Sequence, residues 1–129
     1  MTLSRSPFSY AVVRVVPNIE REEFLNAGLI LFSRPHRFIL ARTHLDETRL
    51  RDLAANGDVE GVRGQLDLFE RIAAGDAGAG PIARLSPSER FHWLTAPRST
   101  AVQPGPIHTG VTDDPRATFE HLFAVLVAR

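Results

Sequence analysis

The 129-residue sequence contains no cysteine and no lysine. Without thiols, disulfides, thiolate zinc sites, iron–sulfur clusters and cysteine nucleophiles are excluded together. Without lysine, all fifteen basic residues are arginine. Guanidinium groups suit forked recognition of phosphate or carboxylate. Wholesale replacement of lysine is also what GC-rich codon usage produces, and we read it that way, as pointing to a bacterial source. An excess of charge of either sign is missing too. Fifteen acidic residues balance the arginines, leaving no global field to attract nucleic acid or an anionic membrane. No stretch approaches the ~18 apolar residues of a spanning helix. Met1 to Ser9 carries one arginine and no apolar core of a signal peptide. The expectation is a cytoplasmic protein with neither a nucleic-acid nor a membrane partner.

The residues present describe one packed domain. Apolar and charged fractions of 43% and 23% are ordinary for a globular chain, and 129 residues fit a single domain over 1–129 with a core over roughly 8–128. Phe8, Tyr10, Val12, Arg14 and Val16 alternate with Ala11, Val13 and Val15. Both faces of that strand are largely apolar, which predicts a central position in the sheet. Gly28 to Phe32 and Phe38 to Ala41, joined by Ser33, Arg34, Pro35 and His36, predict a hairpin. Asp46 caps a short helix through Leu53 that breaks at Asn56 and Gly57. From Asp58, Val59, Val62, Leu66, Phe69 and Ile72 recur at helical spacing. Gly75 to Gly80 predicts a flexible loop. Ser86, Pro87 and Glu89 spell a capping box for a third helix. Ser99 to Gln103, between prolines, predicts a short edge strand. Asp114 and Pro115 open a last helix striped by Phe119, Leu122, Phe123, Leu126 and Val127. The expected fold is α+β: an antiparallel or mixed sheet of about four strands, with three or four helices mainly on one face.

Complete catalytic or metal-binding motifs are missing. The glycines at 75, 78 and 80 lack the lysine and hydroxyl of a phosphate loop and follow a helix. No two histidines have the spacing that presents a pair to a metal, so neither a metal nor a cofactor is expected. His36 and His121 are predicted to be solvated, and Trp93 to join the core. Two segments concentrate polar groups. Glu20, Arg21, Glu22, Glu23 and Asn26 form an exposed charged turn, in which clustered carboxylates can also raise one pKa. Arg98, Ser99 and Thr100 offer a forked donor and two hydroxyls suited to an oxyanion, or else protect a sheet edge. His108, beside Thr109 and between Pro106 and Gly110, sits in a predicted rigid loop of the kind that carries function or fixes a turn.

Three separated stretches carry a resemblance along nearly the whole chain. They are Tyr10-Ala11-Val12-Val13-Arg14-Val15-Val16-Pro17, Arg21-Glu22-Glu23-Phe24-Leu25-Asn26-Ala27-Gly28, and Arg90-Phe91-His92-Trp93-Leu94 continuing through Arg98-Ser99-Thr100 to His108-Thr109-Gly110. In this order they resemble the bacterial Domain of Unknown Function 3037 family, with Leu25 and Ala27 as apolar substitutions in the second stretch. That family supplies no activity. The resemblance implies an accessory role, as partner of a kinase of the toxin–antitoxin type.

The expected function is a small binding or accessory protein. Arg14, Arg21, Glu22, Asn26, Arg98, Ser99, Thr100 and His108 would contact an anionic small molecule or a protein partner. The alternative is a metal-independent hydrolase or transferase on an anionic substrate, with Glu22 or His108 as base and Arg98 stabilising an oxyanion. The oligomeric state stays open.

Overall fold

The computed structural model describes residues 4–54 and 58–128. The break expected at Asn56 and Gly57 lies outside them. Among the described residues five antiparallel strands form one sheet, one more than the sequence pattern shows. Strand β1 (Ser6–Asn18) pairs along one side with β2 (Glu23–Ser33), which pairs with β3 (Phe38–Thr43). Along its other side, β4 (Val102–Pro104) pairs with residues Val13 to Val15 and β5 (His108–Thr112) with Ser6 to Tyr10. β1 is therefore central, as its two apolar faces require. Helices α1 (Glu47–Leu53), α2 (Val59–Ala73) and α3 (Pro87–Leu94) cover one face, and α4 (Pro115–Leu126) covers the other.

The alternation of β1 divides the core in two. Ala11, Val13 and Val15 point to α2 and α3, where they meet Val62, Leu66, Phe69, Phe91 and Leu94. Phe8 and Tyr10 point the other way, to Phe119, Phe123 and Val127. β2 keeps step through a bulge: Val13 lies opposite Gly28 but Arg14 opposite Asn26, leaving Ala27 as the extra residue. The insertion reverses side-chain parity. Leu25 and the extra residue Ala27 thus share a face with Ile30 beyond the bulge.

Helix ends follow the residues that predict them. Asp46, Asp58 and Asp114 each accept from a backbone N–H of the first turn, and Ser86 and Glu89 form both halves of the capping box. At the end of α2, Gly75 takes a φ of 72°. Its N–H reaches the carbonyl of Ile72 while that of Asp76 reaches Arg71, the paired bonds of a Schellman ending. The 75–80 segment that follows holds a 3-10 turn at Ala77–Ala79, capped by Asp76, which also pairs with Arg71 at 2.8 Å.

Local expectations change in four places. β2 starts at Glu23, five residues before Gly28, because backbone pairing with β1 carries the polar residues into the ladder. The strand expected over Ser99 to Gln103 is β4, with Ser99 and Thr100 ahead of it. His108 begins β5 instead of occupying a loop. His36 is half-buried, its Nε2–H donating to the Thr112 carbonyl at 2.9 Å and tying the β2–β3 turn to the end of β5.

Candidate functional site

The eight polar residues fall into three groups. Arg14 and Asn26 face each other across β1 and β2 on the α4 side. Asn26 Nδ2 donates to the Leu126 carbonyl at 3.0 Å, capping the end of α4. The Arg14 guanidinium lies 4.1 Å from the centroid of the exposed Phe24 ring and against Gly105, where a Cβ would come within 3.1 Å of it. Its Nε is buried without a hydrogen-bond partner among the described residues. His108, opposite Tyr10, stands on this same face with ring centroids 5.2 Å apart.

Arg21 and Glu22 occupy the β1–β2 turn. Arg21 pairs with Glu23, and Glu22 has the left-handed φ of 57°. Both side chains are exposed. The third group, Arg98, Ser99 and Thr100, reaches the same end of the sheet, because the Val16 N–H donates to the Ala101 carbonyl at 2.7 Å. Among the described residues no hydrogen bond or ion pair joins that group to Arg21 or Glu22.

Arg98 is the best-defined member. Its guanidinium is 4.7 Å from the Trp93 ring centroid and 5.1 Å from that of Phe69. It donates to the Trp93 carbonyl and, at 3.3 Å, to that of Ala96. A cation is thereby placed beside the carbonyl end of α3, where the helix dipole favours it. Burial against the rings lowers its pKa from the ordinary arginine value by desolvation; the group stays charged at neutral pH. Phe69 belongs to the core beneath α2, so Arg98 and His108 stand on opposite sides of the sheet.

Around Arg98 is a concavity of about 240 Å³ whose walls include Leu68, Phe69, Trp93, Arg98, Thr100 and Val102. Trp93, expected in the core, is 36% exposed, and Leu68 37%. Helical periodicity explains both: Phe91 and Leu94 take the inward positions of α3, and Leu68 lies between Leu66 and Phe69 on α2. Thr100 Oγ1 donates to the Val102 carbonyl at 2.8 Å, and Gln65 accepts from the Val102 N–H at 3.4 Å. The pocket's own polar groups are thus largely paired, while its aromatic and aliphatic surfaces are not covered. No local motif singles out Leu68 on α2.

A second cleft, of about 510 Å³, lies between β3 and α2 and is lined by Thr43, His44, Arg63, Asp67 and Glu70. Glu70 accepts from the Thr43 N–H at 2.8 Å and so joins the two elements. Among the described residues no three histidine or carboxylate side chains are grouped to hold a metal ion, and no helix is long and apolar enough to cross a membrane.

No curated protein and no solved structure matches the chain. The family model described as protein of unknown function (DUF3037) matches residues 10–127, from β1 to the end of α4. The chain therefore belongs to the DUF3037 family.

Proposed function

We propose that this protein is a binding or accessory module that takes a protein partner in the apolar concavity between α2 and α3. The observation that carries the reading is Trp93: a large aromatic left 36% exposed, with a guanidinium stacked on it at 4.7 Å, beside the exposed Leu68. Tryptophan and arginine are the residues most enriched among those that dominate binding energy, especially where they border a pocket that excludes water. Arg98 adds preference for a carboxylate, since its desolvated guanidinium gains from an anionic partner group. The occupant we propose is an apolar segment carrying an acidic side chain.

The arrangement supports binding over turnover. His108, one of the two candidate bases, and Arg98, the candidate oxyanion donor, lie across the sheet from each other, and among the described residues Glu22, the other, makes no hydrogen bond or ion pair with the Arg98 group. General acid–base chemistry needs its groups within hydrogen-bond reach of one substrate atom. The family resemblance makes a kinase of the toxin–antitoxin type the first partner to test.

The experiment is affinity capture of the tagged protein from its own cytosol, in parallel with Trp93→Ala. The wild type should retain one protein in defined proportion, and the substitution should weaken that complex by about 2 kcal/mol, about thirtyfold in Kd. Equal retention by both proteins, with Trp93→Ala folded by circular dichroism, contradicts the reading.

A further inference from the structure

We infer that β5 is a self-pairing edge, through which two copies of the chain join their sheets antiparallel about a two-fold axis at Thr109. Among the described residues β5 pairs with β1 on one side only, so alternate N–H and C=O groups along its other side point away from the sheet. Such edges are normally guarded by charge, by a covering element or by distortion. Residues 105–112, Gly-Pro-Ile-His-Thr-Gly-Val-Thr, contain no charged side chain. At the opposite edge of the sheet, β3 carries Arg42, and the Thr43 N–H is taken by Glu70 of α2. Among the described residues, charge and a covering element are found there and not at β5.

The residues around β5 select a second copy of this chain as occupant. Ile107 and Val111 are among the most exposed large apolar residues, at 48% and 52%. They lie two residues on either side of Thr109, so their side chains share one face of an extended chain. An antiparallel pairing centred on Thr109 sets Ile107 of each copy against Val111 of the other. His108 then meets Gly110 of the second copy. Gly110 is held free of a side chain because its Cβ would lie 2.8 Å from the Phe8 ring. Centring on Gly110 instead would set Val111 against a threonine. A five-residue ribbon buries less than the ~1,200 Å² of a standard interface, so association is weak and concentration-dependent. This surface is separate from the Trp93 concavity, and either can fail without the other.

Sedimentation equilibrium of the full chain, from low-micromolar to submillimolar concentration, tests the inference. The wild type should rise from its 14.3 kDa monomer mass toward twice that value. Val111→Lys places a charge against Ile107 and should hold the chain monomeric. The double variant Ile107→Glu/Val111→Lys sets opposite charges at both contacts and should restore the dimer, lost again at high salt. All substituted side chains are exposed, and circular dichroism checks that each variant folds. A wild type monomeric at every concentration overturns the inference. So does a dimer indifferent to Val111→Lys, or one the double variant fails to restore.

Discussion

Arg42 holds α4 against β3 by two means. It makes a two-pronged bond to Glu120 at 2.7 and 2.9 Å, and its guanidinium lies over Phe119 and Phe123 at 5.1 and 5.2 Å. The bond from Arg42 holds the Glu120 carboxyl below the usual carboxylate range. A depressed carboxylate stabilises the fold at pH values above its unfolded pKa, and that contribution disappears as pH falls through the folded value. Glu120→Gln should therefore be less stable than the wild type near neutrality, and the difference should shrink toward acid pH in denaturant titrations. A pH-independent difference would mean that the ion pair contributes nothing through titration. At this scale the sequence was a partial guide. Arg98 stood out because it neighbours two hydroxyls, yet its guanidinium also lies over the ring of Phe69, a distant residue on α2 that no local pattern reveals. Asn26 was visible as a polar residue, but its bond to Leu126 joins chain segments one hundred residues apart.

Short-range chemistry fixes the ends of the elements. Ser86 closes the start of α3 with Glu89, and Ser86→Ala should cost about 1 kcal/mol, read as a lower denaturation midpoint at unchanged slope. Gly75→Ala meets no atom closer than 3.6 Å but must hold a left-handed φ, at a cost of about 1 kcal/mol. A neutral result there would show that the end of α2 can rearrange. These caps, the stripes of α2 and α4 and the β2–β3 hairpin were legible because each signal lies within a few residues. β5 was not legible. Pro106 and Gly110 disguise it as a loop, and only pairing with β1 makes it a strand. The start of β2 was hidden in the same way, since Glu23 enters the ladder against Asn18 despite its charge. Long-range pairing overrides local propensity in both cases.

For the whole molecule, the sheet separates two apolar clusters that share β1 and β2. Phe119→Ala in one and Leu66→Ala in the other should each cost about 3 kcal/mol. Each should lower one common unfolding transition, because the shared strands couple the clusters; two resolved transitions would show independent units. The sequence revealed a single α+β domain and the segments rich in polar groups, but not how the sheet sorts them onto its two sides. That sorting depends on strand parity and on the bulge at Ala27, and the side covered by α2 and α3 carries Trp93 and Arg98, the surface we propose for a partner. Trp93 is the only tryptophan in the chain, so its fluorescence reports on that surface directly. Titration with the captured partner should shift its emission to shorter wavelength in step with complex formation, as the exposed ring loses water. A complex that saturates while the Trp93 emission stays unchanged would contradict the account.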